Sequence, residues 1–399
     1  MITKQSSILE GFYILLFQAT IATLIITIQV INNILILLSI VIAFGAVCYL
    51  TLKKEKNMKW IKELISRQRT LALIGFLIIA LIYPFIHINN SYWIFIGTLV
   101  WINIIMTLGL NYQVGSTDMV NLGYAAFYAV GAYSSALLVI RFGISFWLAL
   151  VVAGIIAAIF GLMVGLPTLK TKGYYLSLVT IAFGFSIQLL LRNMYWTGGP
   201  DGIMGIPPPT IFSFSFFSGV ELFGNRLPSA MNFYYLALVF ALAAILCASI
   251  LRNSHFGLVL NAIRDNEIAA RCSGIKTWLY KLIAFIIGAF WGGIAGSIYA
   301  HTAGYINPQN FSFALSVTLV CMVVLGGMDN VAGVILGTLM LTIFPEKFRA
   351  FADYRMLMFG AIIVMVLIYS PKGVLPAQPR TYGVLLQELV NKKVGGAKQ

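Results

Sequence analysis

Charge, and acidic charge above all, is scarce in this chain. Only 10% of the 399 residues are charged, with 12 acidic side chains against 26 Lys and Arg, whereas 60% are apolar. A soluble domain carries about 25% charged residues, so this composition excludes an ordinary soluble protein. It predicts an integral membrane protein in which the excess positive charge marks cytoplasmic loops, and it implies no nucleic acid partner.

Side chains that carry chemistry are also few and dispersed. The cysteines lack C-x-x-C spacing and no histidine has a convincing nucleophile beside it, so no disulfide, metal site, cofactor or enzyme site is implied. We expect His301 to lie in an interfacial cluster with Tyr299 and Tyr305. No Walker-type phosphate loop (G-x-x-x-x-G-K followed by Ser or Thr) occurs, so energy from ATP would have to come from another subunit. The residues concerned are Cys48, Cys247, Cys272, Cys321, His87, His255 and His301.

Long apolar runs fill most of the sequence. A spanning helix needs about 20 apolar residues, because every backbone polar group has to be paired within the segment across roughly 30 Å of hydrocarbon. The sequence therefore predicts an all-α, polytopic transmembrane bundle of about 10 to 12 hydrophobic segments, some of them broken or re-entrant. Candidate spans lie near 11–30, 33–52, 71–87, 91–111, 120–140, 146–166, 174–192, 232–251, 282–300, 311–327, 331–345 and 356–370.

The basic residues predict which connections are cytoplasmic. They crowd residues 53–69 and mark 170–172, whereas the Gly-, Pro- and aromatic-rich connection 193–231 holds one basic residue, Arg226, beyond the flanking Arg192. The positive-inside rule places the first two inside and the third outside. Alternation then puts 252–281 and the basic tail inside. Lys347, Arg349 and Arg355 would lie outside unless 331–345 is a half-span that turns back, and charge alone leaves both readings open.

Two polar breaks interrupt the apolar runs, at 111–123 and at 325–333. Polar groups cannot face lipid unpaired, and paired interruptions in two halves of a transporter point to a substrate path. The alternative is that each break is a tight cytoplasmic turn. For Asp118, the alternative to a charged substrate contact is the N-cap of a helix beginning near Met119. The substrate-path candidates are Asn111, Gln113, Ser116, Thr117, Asp118, Asn121, Tyr124 and Asp329.

Two further patterns concern contacts between helices and with partners. Gly288, Gly292 and Gly296 repeat every fourth residue, as small-residue helix-packing faces do. The charge-rich island 254–276 places Glu267, Ala270, Arg271 and Gly274 on one face of a predicted helix, where another protein could approach closely. The alternative is a helix lying on anionic lipid headgroups.

Five ordered motifs resemble one family. They are Leu108–Asn111 followed by Asn121–Tyr133, Tyr175–Gly184, Thr197–Pro207, Ala262–Ala270 with Gly274 and Tyr280–Phe285, and Val324–Met328. In this order they resemble the LivM-type permeases of bacterial branched-chain amino acid ATP-binding-cassette importers, over about Gly109–Gly373. The chain departs from the family pattern at Asp118, Asn121 and Phe185, and these departures put the exact substrate in doubt.

The resemblance implies a multi-pass permease of the bacterial inner membrane, embedded in lipid. Its implied partners are a second, homologous permease subunit, two ATP-binding subunits, and a periplasmic or extracellular substrate-binding protein. The permease itself is then no enzyme. The resemblance also implies a role for the island in docking the ATPase, through Arg264, Glu267, Ala269, Ala270 and Gly274.

We therefore predict three regions: extra N-terminal helices and a basic linker (1–70), the permease domain (71–376) and a basic cytoplasmic tail (377–399). The predicted function is import of Leu, Ile or Val driven by ATP. The alternatives are import of urea or short amides by a related system, an ion-coupled secondary carrier, and a membrane-bound enzyme. The lack of acidic residues in the middle of regular spans argues against ion coupling, and only Asp118 supports it.

Overall fold

The computed structural model describes residues 69–168, 174–211, 214–219, 221–222, 225–226, 228–347 and 373–375, together with single positions 360, 364 and 368. This part of the chain is a bundle of helices. The helices are α1 (Arg69–Ile86), α2 (Ser91–Thr117), α3 (Ala125–Phe142), α4 (Phe146–Thr168), α5 (Tyr174–Asn193), α6 (Ala230–Asn253), α7 (His255–Asp265), α8 (Glu267–Cys272), α9 (Thr277–Ala303), α10 (Phe313–Gly326) and α11 (Val331–Lys347).

The predicted helical membrane bundle is confirmed. Among the described residues, six helices are long and apolar enough to cross a membrane, namely α2 to α6 and α9. Parts of α1 (Ile74–Ile86) and α10 are shorter apolar helices. The predicted spans from 71–87 to 331–345 each correspond to a helix. The spans 11–30 and 33–52, the tail after 376, and nearly all of 356–370 lie outside the described residues.

Helices α2 and α9 form the centre of the bundle. Helix α9 packs against α2, α3 and α4, and α2 also contacts α6, α10 and α11. The close approach depends on glycine. A Cβ at Gly296 would overlap the backbone of Tyr128 and Ala132 in α3, and one at Gly288 would be 2.7 Å from the carbonyl oxygen of Gly109 in α2. Backbones can meet this closely only where a side chain is missing, which stabilises helix pairs in lipid without a hydrophobic driving force.

The described helices have two distinct ends. The loop end is the one that carries the connection 193–231: Arg141 near the end of α3 donates to the carbonyl of Trp196, and Trp147 at the start of α4 donates to that of Thr210. At the same end, Tyr92 at the start of α2 hydrogen-bonds Glu346 near the end of α11. At the island end, Asp329 between α10 and α11 contacts Ser116 of α2. Helix α11 therefore runs without interruption from the island end to the loop end, which favours the reading in which 331–345 does not turn back.

The loop end carries short β-pairs between α5 and α6. Strand β1 (Ile203–Met204) pairs antiparallel with β6 (Tyr305–Ile306), which follows α9. Strand β2 (Thr210–Ile211) pairs with β3 (Phe214–Ser215), and β4 (Glu221–Leu222) pairs with β5 (Asn225–Arg226). Because β1 and β6 are bonded, the Gly- and Pro-rich connection is fixed to the end of α9.

The boundary between α2 and α3 differs from the prediction. Residues 111–117, assigned to a polar break, are the last turns of α2, and α3 begins at Ala125 instead of near residue 120. The polar side chains of these turns face protein: Asn111, Gln113, Ser116 and Thr117 are all buried. Polar residues within a span disrupt a helix only when their side chains lack partners, and here α9 and the 329 turn supply them.

Candidate functional site

The first break is the segment 118–124, which lies between two helices without being helix or strand itself and which we call the extended segment. Asp118 has left-handed backbone (φ 56°) and is the C-cap of α2, with its backbone N–H bonded to the carbonyl of Gln113. Its side chain is exposed. The predicted N-cap role of Asp118 for a helix starting near Met119 is therefore wrong, because the next helix begins only at Ala125. Asp adopts the left-handed region more readily than most residues, which accounts for its place here.

Buried amides hold this segment against α2 and α9. Asn121 Nδ2 donates to Gln113 Oε1 (2.7 Å), and Gln113 Nε2 donates to the carbonyl of Phe285 in α9 (3.1 Å). Asn121 Oδ1 also accepts from the N–H of Gly123 (2.9 Å), and Thr117 donates to the carbonyl of Gln113 (2.7 Å). Because the segment has no helical hydrogen bonds of its own, these side-chain hydrogen bonds hold it in place.

Helix α5 pairs the other side of the segment. Ser177 of α5 donates to the carbonyl of Val120 (3.0 Å), and the N–H of Leu122 donates to Thr180 of α5 (3.2 Å). Tyr124 donates to the carbonyl of Gly288 in α9 (2.7 Å). Asn121 and Tyr124 are buried, whereas Val120 is 37% exposed. Non-helical backbone between spans is tolerated only where protein or a water-filled cavity covers it. The outward side of the segment therefore fits a polar path better than a lipid-facing surface.

The second break is a tight turn between α10 and α11. Asp329 is again left-handed (φ 62°), but its side chain is buried. Its N–H donates to Asn111 Oδ1 (3.0 Å), and its carboxylate accepts from Ser116 (2.8 Å). The turn also binds the later chain, since Asn330 donates to the carbonyl of Leu375 (2.8 Å). Of the two alternatives for 325–333, the geometry is that of a turn.

Arg252, in the last turn of α6, lies next to Asp329. Its Nε lies 4.0 Å from Asp329 Oδ2, and the two side chains are 19% and 7% exposed. A small cavity separates α2, α6, α7 and the turn. Its lining includes Tyr112, Ser116, Arg252, Phe256 and Asp329. We call Asn111, Ser116, Arg252 and Asp329 the Asp329 junction.

The island 254–276 contains two short helices, α7 and α8, where one helical face was expected. Asn266 separates them and caps α8, its Oδ1 accepting from the N–H groups of Ile268 and Ala269 (both 3.0 Å). Helix α8 ends at Cys272, and Gly274 follows with left-handed backbone (φ 83°). Ala270 is buried. Glu267, Ala270 and Arg271 keep the predicted spacing on α8, but Gly274 lies beyond its end, so the expectation that all four share one helical face is wrong.

Glu267 contacts its own chain. Its carboxylate accepts from Lys281 of α9 (2.6 Å) and from Arg271 (3.1 Å). Partial burial acts to raise the pKa of this carboxyl, but the hydrogen bond and charge of Lys281, followed by those of Arg271, outweigh it and hold the pKa below its ordinary value. The pair Glu267–Lys281 therefore ties α8 to the start of α9.

The exposed side of α8 consists of Ile268, Ala269, Arg271 and Cys272. Ile268 is 77% exposed, although it is the largest apolar side chain of this helix. Arg264, predicted to take part in docking, is half-buried on α7. Of the predicted docking residues, the structure thus exposes Ala269 and Gly274. Ile268 is exposed as well, although the pattern of small and charged residues in the sequence did not indicate it.

His301 lies in a hydrogen-bonded chain that the sequence did not indicate. Its Nε2 is 3.0 Å from Ser135 Oγ, Ser297 donates to Ser135 (2.7 Å), and His301 Nδ1 is 2.7 Å from the carbonyl oxygen of Pro207. The expected cluster with Tyr299 and Tyr305 is replaced by these contacts. In the part of the chain that the structure describes, no three His, Cys, Asp or Glu side chains are grouped to hold a metal ion.

Comparisons with known proteins cover both breaks and the island. A family model described as the permease component of branched-chain amino acid transport systems matches residues 92–367. The high-affinity branched-chain amino acid transport system permease protein LivM of Escherichia coli K12 is 38% identical over 322 residues, which are 77% of this chain and 75% of LivM.

More distant relatives are permeases as well. The permease protein LivH of the same transport system in E. coli is 23% identical over 68% of this chain and 90% of LivH. The autoinducer 2 import system permease protein LsrC of Salmonella paratyphi B is 29% identical over 49% of this chain and 52% of LsrC. No solved structure matches the chain significantly.

Proposed function

Because the chain belongs to the family of branched-chain amino acid transport permease components, we propose that it is the membrane permease subunit of an importer for Leu, Ile and Val that is driven by ATP. The observation that carries this proposal is the match over 92–367, which spans the extended segment, the Asp329 junction and the island. The bacterial inner membrane is the corresponding location.

The proposed partners follow from what the chain lacks and from its relatives. The sequence contains no Walker-type phosphate loop, so two ATP-binding subunits would supply the energy. Two related permease proteins, LivM and LivH, are named for the same transport system, which supports pairing of this chain with a second homologous permease. A substrate-binding protein would deliver the amino acid at the loop end.

The island is the proposed docking surface for the ATP-binding subunits. Ile268 projects from α8, and Ala269 beside it leaves room for an approaching chain. A central apolar anchor surrounded by polar residues is the usual arrangement of an interface. Glu267 acts in this proposal by keeping α8 fixed to α9 through Lys281, so that force applied to α8 moves a central helix.

The proposed substrate path follows the outward side of segment 118–124. Gln113, Asn121 and Tyr124 would shape it by holding the segment to α9. A zwitterionic amino acid with an apolar side chain needs amide and hydroxyl dipoles beside apolar surface, with few fixed charges, because an unpaired charge in such a place is costly. Val120 would supply apolar surface on this side, while the buried amides would hold the segment in place.

Reconstituted uptake tests the proposal. Proteoliposomes carrying this chain with its permease and ATP-binding partners would hold ATP inside, with binding protein and radiolabelled leucine outside. We expect accumulation that requires ATP hydrolysis and that unlabelled isoleucine and valine inhibit. The matched control has a substituted Walker lysine in the ATP-binding subunits.

Two results would contradict the proposal. Uptake driven by an ion gradient without ATP would favour a secondary carrier. Uptake inhibited by urea or acetamide and not by isoleucine would favour the related amide importers.

A further inference from the structure

The Asp329 junction connects three parts of the described chain. Asp329 belongs to the turn between α10 and α11, Asn111 and Ser116 to the last turns of α2, and Arg252 to the last turn of α6. Helix α2 leads directly into the extended segment, and α6 leads directly into α7 of the island. The junction therefore lies between the proposed docking surface and the proposed substrate path.

The contacts to α2 use both the backbone and the side chain of Asp329. Asn111 Oδ1 accepts from its N–H, and Ser116 donates to its carboxylate. A Cβ at Gly115 would be 2.6 Å from the backbone nitrogen of Asp329. The turn thus rests on the backbone of α2 and cannot move sideways without moving the last turn before Asp118.

The contact to α6 is made by the charged side chain of Arg252. Arg252 Nε is 4.0 Å from Asp329 Oδ2, and a small cavity lies beside the pair. The corner between α6 and α7 is tight: a Cβ at Gly257 would be 2.5 Å from the carbonyl oxygens of Leu251 and Arg252. A displacement of α7 is therefore passed to Arg252, whereas the gap beside the ion pair leaves room for its geometry to change.

We propose that Asp329 is a positioning residue that transmits movement of the island, through Arg252, to the end of α2 and the extended segment. The inference rests on the proposed function, since it assigns the junction to the coupling of ATP hydrolysis to transport. Asp329 in this role does not touch the substrate. Its charge serves to keep α6 and α2 together while the corner at Arg252 moves.

The experiment measures leucine taken up per ATP hydrolysed, in the proteoliposomes described above. We expect Asp329→Asn to lower this ratio about fivefold or more, within the usual range of coupling between sites, while basal ATP hydrolysis is kept. Asparagine also adopts the left-handed region and leaves the N–H bond to Asn111 intact, so the variant removes charge without changing the turn. Arg252→Gln should lower the ratio similarly, and Arg252→Lys should restore part of it.

A double-mutant cycle distinguishes coupling from damage. If the two residues act as one pair, Asp329→Asn with Arg252→Gln should be no worse than either alone. An unchanged ratio in both single variants, additive losses in the double variant, or equal loss of uptake and ATP hydrolysis would each overturn the inference. Should Asp329→Asn fail to fold, Arg252→Gln and Arg252→Lys alone carry the test, because Arg252 is less buried. Wild-type complexes that take up no leucine would contradict the proposed function instead.

Discussion

Two aspartates with the same backbone conformation lie in very different surroundings. Asp118 and Asp329 are the described non-glycine residues with positive φ, at 56° and 62°. Asp118 directly follows α2, and Asp329 lies in the turn between α10 and α11. Asp118 is exposed and opens the seven residues of the extended segment. Asp329 is buried in a tight turn, with Ser116 and Arg252 at its carboxylate.

The difference shows that an aspartate in left-handed conformation determines only the direction of the backbone at that position. What the carboxylate does depends on the helices that surround it. At Asp118 any residue that tolerates left-handed backbone would serve the chain path, whereas at Asp329 the negative charge and its donors, Ser116 and Arg252, are needed as well. Charge at the second break therefore has structural consequences that charge at the first break lacks.

The largest expected effect concerns the packing of the first break. A Cβ at Gly123 would overlap the carbonyl of Thr180 in α5. Gly123→Ala should therefore destabilise the folded protein by about 1–3 kcal/mol, the usual cost of overpacking. Gly184→Ala is the matched control from the opposite side, since its Cβ would be 3.3 Å from Gly123 Cα, which a small shift relieves. Thermal unfolding in detergent measures both, and equal melting temperatures would show that α5 is not fixed against the segment.

The two aspartates themselves give the next largest effect. Asp329→Asn should lower the free energy of unfolding by about 1–3 kcal/mol, because it weakens the buried hydrogen bond from Ser116 and removes the negative charge beside Arg252. Asp118→Asn should change the free energy of unfolding by less than about 0.5 kcal/mol, as expected for an exposed site. Chemical denaturation of the two variants in the same detergent compares them. Similar losses would mean that burial does not distinguish the two breaks.

Charge reversal on the island separates an internal contact from a docking contact. Glu267→Lys should reduce coupled uptake, since it places a cation beside Lys281 and Arg271. The double variant with Lys281→Glu restores an ion pair of opposite polarity and should recover uptake. Recovery is not expected if Glu267 instead touches the ATP-binding subunit. Because the folded pKa of Glu267 lies below its ordinary value of 4.5, the contact should persist above that pH and be lost as the pH falls through the lowered value.

Most of the helices could be predicted from the sequence, because uninterrupted apolar runs such as 91–110 and 232–251 have few alternatives in a membrane. The partners of polar residues could not. In the sequence, Gln113 and Asn121 indicate a broken span. In the structure, the carbonyl of Phe285, 172 residues away along the chain, accepts a hydrogen bond from Gln113.

The same limit applies to the island. Its helical period predicted that Glu267 and Gly274 share a face, but left-handed backbone at Gly274 ends the helix and Lys281 pairs with Glu267. The prediction depends on the small size of Gly274, whereas in the structure its conformational freedom matters, because its backbone is left-handed. A Gly shortly after Arg271 in the last turn is the sequence signal of a helix end that could have been recognised.

The smallest expected effect is on uptake in Asp118→Asn. Its carboxylate is exposed at the open end of the segment, so leucine uptake should stay within about twofold of wild type, equivalent to about 0.4 kcal/mol. The measurement is initial uptake at several values of pH between about 5 and 8. A large, pH-dependent loss with unchanged expression would make Asp118 a charged substrate contact and would restore ion coupling as an explanation.

The most direct test of an importer powered from the island end is the accessibility of Cys272. This native cysteine is exposed on α8, and replacement of Cys48, Cys247 and Cys321 by alanine leaves it as the single thiol. A membrane-impermeant maleimide should label Cys272 in inside-out vesicles and not in right-side-out vesicles, and assembly with the ATP-binding subunits should block the labelling. Labelling from the outside, or labelling that the ATP-binding subunits leave unchanged, would contradict docking at the island.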